Sequence, residues 1–275
     1  MKQAFEPLLD DVIALAHAAG DAILQVYHTD FSVATKSDQS PLTLADQMAE
    51  KIISDGLKNI SKWAVLSEES ADKPSFEERK NWDYYWLVDP LDGTKEFVKK
   101  NGEFTVNIAL IENHIPVLGV VYMPTTQKTY FAAHRIGAYQ QEKKQPSKSI
   151  SVRLLQEEQL CIVGSRSHIT DDLKQFIACL GNTIDMKNIG SSLKICLIAE
   201  GQADLYPRLG LTSEWDTAAA QCILEEAGGH LTDLRLSSLR YNTKESLLNP
   251  HFIAFNQQHT VWLNCLQQFT QDEIS

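Results

Sequence analysis

Two aspartates separated by two residues follow a short apolar run, and together they form the most informative chemical pattern of this sequence. The run 84–88 predicts a β-strand, and Asp89-Pro90-Leu91-Asp92-Gly93-Thr94 follows it directly. Proline cannot donate a ladder hydrogen bond and glycine permits unusual backbone angles, so we expect the strand to stop and the chain to turn here. The two carboxylates can then converge on one point, and hard oxygen ligands of this kind suit Mg2+. An Asp-rich turn with side-chain caps is the structural alternative.

Three further acidic positions can join this pair, and each also has an ordinary structural explanation. Glu68 and its acidic neighbour follow the apolar triplet 64–66, where adjacent carboxylates repel each other unless a positive charge lies nearby; a solvated loop is the alternative. Asp46 lies three residues after Thr43, which is the spacing of a helix capping box. Asp216 lies where a helix is expected to begin, and aspartate is a good N-cap.

The elements that must position these side chains are predicted from hydrophobic periodicity. Apolar residues at steps of three or four predict helices at 5–28 and 43–60. Short apolar or alternating runs bounded by turn residues predict strands at 64–66, 84–88, 104–111, 117–122, 130–133, 138–140, 161–163, 203–206, 229–231 and 252–255. Further helices are predicted at 170–180, 192–200 and 215–227.

A polar, lysine-rich stretch at 141–149 predicts an exposed loop that divides the chain. Residues 1–150 form an N-terminal part in which two predicted helices precede a run of predicted strands. In residues 151–275 the strands alternate with helices, which predicts a C-terminal α/β part with a mixed sheet.

The composition favours a protein with a sizeable core and argues against a nucleic-acid-binding module. The chain has 275 residues, of which 43% are hydrophobic, and 36 acidic against 25 basic residues give a formal charge of −11. Such a surface repels polyanions, so we expect no nucleic-acid polymer as a partner. A small phosphorylated substrate would need local positive charge, which bound metal ions supply compactly.

The cysteines and the N-terminus bear on the compartment. Cys161, Cys179, Cys196, Cys222 and Cys265 include no CxxC pair, and we expect buried free thiols in a reducing, cytoplasmic compartment. No signal peptide is evident, and no run reaches the length of about 18 apolar residues that spans a bilayer. Peripheral association with the cytoplasmic face of the inner membrane stays open, as does the choice between a monomer and a homodimer.

Taken together, the motifs resemble the inositol monophosphatase superfamily of lithium-sensitive, Mg2+-dependent phosphatases. The resemblance rests on the order and spacing of Glu68-Glu69, the segment 89–94 and Trp215-Asp216, and it runs over nearly the whole chain. Three later segments resemble one branch, the bacterial 3′(2′),5′-bisphosphate nucleotidases. They are Ser165-Arg166-Ser167-His168, Gly190-Ser191-Ser192-Leu193-Lys194 and Tyr206-Pro207-Arg208.

The implied fold is α+β, a layered α-β-α-β-α sandwich of the inositol monophosphatase/fructose-1,6-bisphosphatase type with the site in the cleft between two parts. By the same resemblance, the N-terminal α+β part, residues 1–150, would carry a largely antiparallel sheet and most of the metal ligands. The C-terminal α/β part, residues 151–275, would carry a mixed sheet and most of the nucleotide contacts.

The resemblance implies a centre with two or three Mg2+ ions. Glu68, Asp89 and the backbone carbonyl of Leu91 would hold one ion. Asp89, Asp92 and Asp216 would hold a second, with Asp89 bridging the two. A third ion near Glu68 would be held largely through waters.

The resemblance also implies the catalytic and substrate-binding residues. Asp46 and Thr94 would orient the attacking water, and Glu68 would act with them. The residues implied to contact a nucleotide bisphosphate are Glu68, Leu91, Asp92, Gly93, Thr94, His168, Ser191, Lys194, Arg208 and Asp216, with Arg166 as a neighbour. Simpler roles exist for several of these positions: a helix cap for 190–192, a surface loop for His168 and a structural ion pair for Arg208.

The implied reaction is hydrolysis of the 3′-phosphate of adenosine 3′,5′-bisphosphate to AMP and phosphate, with 3′-phosphoadenylyl sulfate as a further substrate. This reaction removes a by-product of sulfate activation. Inositol monophosphatase or fructose-1,6-bisphosphatase activity on the same fold is the nearest alternative, because the metal ligands would be unchanged. A catalytically silent phosphate-binding regulator is a hypothesis from another class, although no expected metal ligand is missing from the sequence.

Overall fold

The computed structural model describes residues 5–30, 33–35, 41–71, 74–154, 160–165, 170–181 and 184–272. The α-helices in these residues are α1 Glu6–Tyr27, α2 Leu44–Ile60, α3 Phe76–Arg79, α4 Thr94–Val98, α5 Asp171–Leu180, α6 Leu193–Ala199, α7 Ala218–Glu226 and α8 Thr260–Asp272. The strands are β1 Val33–Thr35, β2 Pro41–Thr43, β3 Ala64–Ser67, β4 Tyr84–Asp92, β5 Thr105–Glu112, β6 Ile115–Met123, β7 Lys128–Ala133, β8 Gly137–Glu142, β9 Lys148–Ile150, β10 Leu160–Ser165, β11 Ile184–Ile189, β12 Leu205–Arg208, β13 His230–Asp233 and β14 Phe252–Phe255. Two 3-10 turns, Glu68–Ser70 and Glu214–Asp216, each carry a candidate acid.

The first two helices confirm the predictions from apolar periodicity to within one residue at each end. α2 begins after Thr43, whose hydroxyl accepts a hydrogen bond from the Ala45 backbone N–H at 3.1 Å. Asp46 completes a capping box by accepting a hydrogen bond from the Thr43 backbone N–H at 2.8 Å. Because a cap satisfies N–H groups that have no partner inside the helix, it also fixes the place of Asp46.

A seven-stranded sheet contains β3 to β9 in chain order. β3 and β4 are parallel, and every later neighbouring pair is antiparallel. Side chains of β4 alternate between the two faces: Trp86 and Val88 pack with α1 and α2, whereas Tyr85 and Leu87 pack on the opposite face. The strand is therefore buried on both faces, which explains its continuous apolar run.

The predicted end of strand β4 was wrong. We expected the strand to stop at Val88, but β4 continues to Asp92 in its pairing with β5. The register shifts between Asp89 and Asp92, and this irregularity accommodates Pro90 without ending the ladder. The two aspartates consequently stand on a strand segment that pairs with β5, beyond Val88, where the pairing with β3 ends.

Other differences from the sequence prediction lie at polar edges. The predicted loop 141–149 is shorter, because β8 extends to Glu142 and β9 begins at Lys148. The edge strand β11 and the last helix α8 were not predicted. Both have one partly exposed face, so their apolar residues are too few to form a continuous run, although the alternation in β11 was a usable signal.

A second, five-stranded sheet has the order β11-β10-β12-β14-β13. β10 is parallel to both of its neighbours, and the pairs β12–β14 and β13–β14 are antiparallel, so the sheet is mixed. β12 carries Arg208 at its end, and β14 runs antiparallel beside it.

Three apolar clusters define the layers. The first lies between α1, α2 and the large sheet, and it includes Ile23, Ile53 and Trp86. The second contains residues of both sheets and of α6 and α7, and the third joins the outer face of the small sheet to α5 and α8. The order helix, sheet, helix, sheet, helix confirms the expected α+β layered sandwich.

Close packing of α7 on the large sheet fixes the segment that carries Asp216. A Cβ atom at Gly119, on β6, would lie 2.2 Å from the carbonyl oxygen of Ala219. Only glycine permits this approach of strand and helix. The position of α7, and with it the preceding turn, is therefore set by backbone contact.

The cysteines depart from the expectation of five free thiols. Cys179 on α5 and Cys265 on α8 form a disulfide with a Cα–Cα distance of 5.8 Å. The other three, Cys161, Cys196 and Cys222, are buried free thiols. The pairing was not predictable from the sequence, because 86 residues separate the two cysteines and only the packing of α5 on α8 brings them together. Among the residues that the structure describes, no helix is long and apolar enough to cross a membrane.

We predict that denatured, unreduced protein will titrate three thiols and that reduced protein will titrate five. Cys265→Ser should lower the free energy of unfolding by about 2–4 kcal/mol, because the crosslink restrains the unfolded chain. Denaturant unfolding with and without reductant measures this loss, and Cys222→Ser, at a buried thiol outside the crosslink, is the control. Five titratable thiols before reduction would contradict the pairing.

Candidate active site and metal centre

Three aspartates from distant parts of the sequence meet in one group. Asp89 and Asp92 lie at the end of β4, and Asp216 ends the 3-10 turn that precedes α7. One carboxylate oxygen of each lies within 4.8 Å of the other two. The structure thus brings together the acids that were assigned from the sequence to one Mg2+ ion.

Burial makes this group costly while it carries only negative charge. Asp89 is 1% exposed, and burial, followed by the charges of Glu68, Asp92 and Asp216, raises its pKa well above the usual range. Burial and the charges of Asp92 and Glu68 raise the pKa of Asp216 in the same way. A cation among these oxygens would relieve the repulsion and replace the lost hydration.

Asp216 does not have the N-cap role that was its structural alternative. The N-cap of α7 is Thr217, whose side chain makes no capping hydrogen bond. Asp216 instead accepts a hydrogen bond from the Ser213 backbone N–H at 2.9 Å through Oδ2, within a capping box of the 3-10 turn. One carboxylate oxygen is held by the backbone in this way.

The turn after β4 is held by its own hydrogen bonds. Asp89 Oδ1 accepts a hydrogen bond from the Leu91 backbone N–H at 3.0 Å, and the Leu91 carbonyl accepts one from Thr94 Oγ1 at 3.2 Å. Gly93 has a φ of 91°, and a Cβ atom there would lie 3.0 Å from the Glu103 carbonyl oxygen. Glycine is therefore required at this position both by its backbone conformation and by the available space.

Glu68 lies beside the aspartate group. It follows β3 as the first residue of a 3-10 turn, is partly buried, and lines the same cleft as Asp89 and Asp216. The charge of Glu68 raises the pKa of Asp89 and of Asp216, so these carboxylates are close enough to interact. The solvated loop that was its alternative is thus not what the structure has.

Asp46 serves the helix cap and faces the site at the same time. Its Oδ2 accepts hydrogen bonds from the backbone N–H and the hydroxyl of Thr43, at 2.8 and 2.6 Å. Its Oδ1 lies 3.4 Å from Thr94 Oγ1, a long hydrogen bond that spans 48 residues of sequence. The capping interpretation and the dyad interpretation are therefore compatible, because each uses a different oxygen of Asp46, which is 1% exposed.

Two basic side chains line the same cleft as the acids. Lys194 is 8% exposed, and its Nζ donates to the Ser191 carbonyl at 2.5 Å. Burial lowers the pKa of Lys194 to about 8, although nearby acids, Asp92 foremost, oppose the shift. Arg208 donates from Nε to Thr212 Oγ1 at 2.8 Å. The cleft, with a volume of about 770 Å³, is thus lined both by the acidic group and by these two basic side chains.

The sequence of nearly the whole chain matches a known protein family. The family model described as the inositol monophosphatase family matches residues 5–271. The chain belongs to the inositol monophosphatase family. It is 50% identical over 248 residues to the 3′(2′),5′-bisphosphate nucleotidase CysQ of Salmonella typhimurium, with 89% of this chain and 98% of the relative covered. It is 44% identical over 252 residues to the protein of the same name from Buchnera aphidicola, with 90% and 93% covered.

Solved structures of the inositol monophosphatase family share the fold. The crystal structure of CysQ from Bacteroides thetaiotaomicron matches with a TM-score of 0.80 at 40% identity, covering 92% of this chain and 99% of that one. The IMPase from Thermotoga maritima matches with a TM-score of 0.78 at 24% identity, covering 97% and 99%. The second likeness concerns the fold alone.

The acidic group fits the metal that this family implies. Enzymes of the inositol monophosphatase family are metal-dependent, and here three carboxylates offer hard oxygen atoms within 4.8 Å of one another. The raised pKa values of Asp89 and Asp216 have mutual repulsion among their causes, which is the condition that a bound cation removes. The donor chemistry of this chain is therefore that of a metal centre.

The predicted nucleotide contacts fall into two groups. Ser191, Lys194 and Arg208 line the cleft together with Gly93 and Thr94. His168 and Arg166 lie outside the described residues. Arg208 contacts its own turn, through Thr212 and the carbonyl of Leu211, instead of the structural ion pair that was its alternative.

Two polar residues at the centre were missed from the sequence. Ser192 is the N-cap of α6 but makes no capping hydrogen bond with its side chain; its hydroxyl contacts Asp92 instead. Asn107 on β5 also contacts Asp92, with its Nδ2 atom 3.3 Å from Oδ2. The only signal for Asn107 was a polar amide within an apolar strand, and Ser192 resembled an ordinary cap.

We predict that Gly93→Ala will be more destabilising than Gly228→Ala. Both glycines have a positive φ, 91° and 90°, so each substitution carries the cost of about 1–2 kcal/mol for a residue with positive φ. Only Gly93 meets a backbone atom at 3.0 Å, which should add about 1–3 kcal/mol. Equal losses in denaturant unfolding would show that the approach to Glu103 is not tight.

Proposed function

We propose that this chain is a Mg2+-dependent 3′(2′),5′-bisphosphate nucleotidase that hydrolyses the 3′-phosphate of adenosine 3′,5′-bisphosphate to give AMP and phosphate. The observation that carries the proposal is a single cleft lined both by a metal-type acidic group and by Lys194 and Arg208. The nucleotidase name of relatives that are 50% and 44% identical supports the same substrate class. The proposed role is nucleotide recycling in sulfur metabolism, with 3′-phosphoadenylyl sulfate as a second substrate.

The acidic group of the cleft would hold the metal. Glu68, Asp89 and the Leu91 carbonyl are the proposed ligands of one Mg2+, and Asp89, Asp92 and Asp216 those of another, with a third ion near Glu68. Bound Mg2+ supplies positive charge that offsets the phosphate dianion and lowers the pKa of the attacking water. The residues of the chain bring their carboxylates to that point and exclude bulk water from Asp89, which is 1% exposed.

Asp46 and Thr94 would position the attacking water. The Thr94 hydroxyl has one proton and lies 3.4 Å from Asp46 Oδ1 and 3.2 Å from the Leu91 carbonyl. When the hydroxyl donates to Asp46, its lone pairs can accept a hydrogen bond from the water. Asp46 needs no movement for this role, because its other oxygen is anchored by Thr43. Distances of this kind commonly shorten when substrate binds.

Lys194 and Arg208 would bind the phosphate that is not cleaved. Arg208 offers a planar guanidinium suited to two-point phosphate contact, and Lys194 offers a compact charge. Leu211, which is 73% exposed, and Leu248, which is 39% exposed, line the same cleft and provide apolar surface for the nucleoside. Ser191 contributes a hydroxyl, and His168 is proposed as a further contact from the sequence resemblance alone.

We also propose where the chain divides, where it is located, its sensitivity to lithium and its state of assembly. The boundary near residue 150 is supported by the position of β9, the last strand of the large sheet, before β10 begins the small one. A cytoplasmic location and lithium sensitivity are proposed from the family resemblance. The state of assembly is proposed to be a monomer or a homodimer.

We predict Mg2+-dependent phosphate release that strongly favours adenosine 3′,5′-bisphosphate over inositol 1-phosphate and fructose 1,6-bisphosphate. The measurement compares the three substrates with Mg2+ and with excess chelator. Asp89→Asn should nearly abolish turnover of all three, because the change weakens both proposed metal positions.

The outcomes of this assay separate the competing functions. Preference for inositol 1-phosphate or fructose 1,6-bisphosphate would keep the metal chemistry and overturn the proposed roles of Lys194 and Arg208. The absence of turnover on all three compounds would favour the silent phosphate-binding regulator. Near-normal activity of Asp89→Asn would refute its bridging role.

We predict that Lys194→Ala will raise KM for adenosine 3′,5′-bisphosphate about tenfold or more, since a hydrogen bond to a charged group contributes about 1.5–3 kcal/mol. KM for inositol 1-phosphate, which lacks a second phosphate, should change much less. Lys174→Ala, at an exposed position on α5, is the matched control. Equal losses on both substrates would count against the assignment.

The pH dependence of KM tests the same contact between Lys194 and the second phosphate without a substitution. Burial lowers this pKa to about 8, so the side chain is charged below that pH and progressively neutral above it. KM for the bisphosphate should therefore rise between pH 7 and pH 9 more steeply than KM for inositol 1-phosphate. Parallel pH profiles for the two substrates would contradict the proposed contact.

A further inference from the structure

One oxygen of Asp92 receives an unusual concentration of hydrogen bonds. The backbone N–H of Ser192 lies 2.6 Å from Asp92 Oδ2, and the hydroxyl of the same serine lies 2.7 Å from it. The side-chain amide of Asn107 donates to Oδ2 as well, at 3.3 Å. Three donors therefore converge on one of the two carboxylate oxygens.

This convergence fixes the rotation of the carboxylate. With Oδ2 held by three donors, the plane of the group is defined, and the opposite oxygen is the one that can face the cation. A carboxylate that rotates between two orientations must be ordered when the cation binds. The entropy cost of that ordering lowers the affinity for the cation. Groups that orient metal ligands from behind commonly change metal affinity about 10–100-fold when they are removed.

Ser192 also connects Asp92 to the segment of Asp216. Its Oγ lies 2.6 Å from the Asp216 carbonyl oxygen, and it accepts a hydrogen bond from Asn107 Nδ2 at 2.8 Å. A hydroxyl has one proton, so it donates to Asp92 or to the Asp216 carbonyl at any moment while remaining in contact with both. The serine thus sets the spacing between two proposed ligand segments, the end of β4 and the 3-10 turn before α7.

Asn107 is placed for this role by the sheet itself. It pairs directly with Asp89 across β4 and β5, and it is 1% exposed. The amide orientation follows from chemistry, because Nδ2 faces the oxygens of Asp92 and Ser192, which an amide oxygen would repel. The Asn107 Oδ1 atom is buried without a partner among the described residues, a cost that a purely structural strand position would avoid by carrying an apolar side chain.

We propose that Ser192 and Asn107 are positioning residues of the metal centre, which hold Asp92 through Oδ2 so that its other oxygen faces the cation. The proposal rests on the metal dependence in the proposed function and adds two residues to it. Neither residue needs to touch the cation or the substrate. Their removal should weaken cation binding even when no substrate is present.

The test is the affinity of the full-length protein for Mg2+, and for Mn2+ as a spectroscopic probe, measured by calorimetry and by electron paramagnetic resonance without substrate. Ser192→Ala removes the hydroxyl and keeps the backbone donor, and Asn107→Leu removes the amide at similar volume. We expect each variant to weaken cation affinity about tenfold. Ser192→Thr, which restores a hydroxyl, should recover most of the loss.

Two control variants separate positioning from general destabilisation. Asn256→Leu removes a buried amide that contacts Asp204 and Arg153. Asn256 directly follows β14, at the opposite end from Phe252, which lines the cleft. Ser149→Ala removes an exposed hydroxyl on β9. Both should leave cation affinity unchanged, even where Asn256→Leu lowers the melting temperature.

The outcomes distinguish this inference from the proposed function. If the unmodified protein binds neither cation, the proposed metal-dependent function fails. If it binds them and folded Ser192→Ala binds with the same affinity, the positioning role is overturned while the function stands. Should Asn107→Leu fail to fold, Ser192→Ala and its threonine rescue decide the question alone.

Discussion

Repulsion among buried carboxylates is the constraint on which this structure depends. Glu68, Asp89, Asp92 and Asp216 converge at the cleft, where Asp89 is buried and the other three are partly buried, and burial and mutual repulsion raise the pKa of Asp89 and of Asp216. Such a group is unfavourable by itself and becomes favourable with a cation. The scaffold must therefore hold the acids together against their repulsion, and much of the packing around them can be understood from that need.

The chain meets this need by the same device at four aspartates. In each case a backbone N–H group binds one carboxylate oxygen and leaves the other for the site. The pairs are Thr43 with Asp46, Leu91 with Asp89, Ser192 with Asp92 and Ser213 with Asp216. Because the N–H groups belong to helix caps and turns, local structure and site geometry are coupled: a change in a cap is also a change in the site.

Burial acts in opposite directions on the pKa values of the acids and of the lysine in the cleft. It raises the pKa of Asp89 and of Asp216, whereas it lowers the pKa of Lys194 to about 8, and in each case it disfavours the charged form. Ser192, the N-cap of α6, links the two sets of side chains, since it contacts Asp92 and is two residues from Lys194.

The sequence by itself determined the helices α1 and α2, the apolar strand of 84–88 and the acids that follow it, because each leaves a local pattern of period or composition. It also supplied the order of motifs from which the family resemblance follows. Only the tertiary structure decided that β4 continues through Pro90, that Cys179 pairs with Cys265, and that Asn107 and Ser192 hold Asp92. Those contacts join residues up to 100 positions apart, and their partners are selected by packing, which no local pattern encodes.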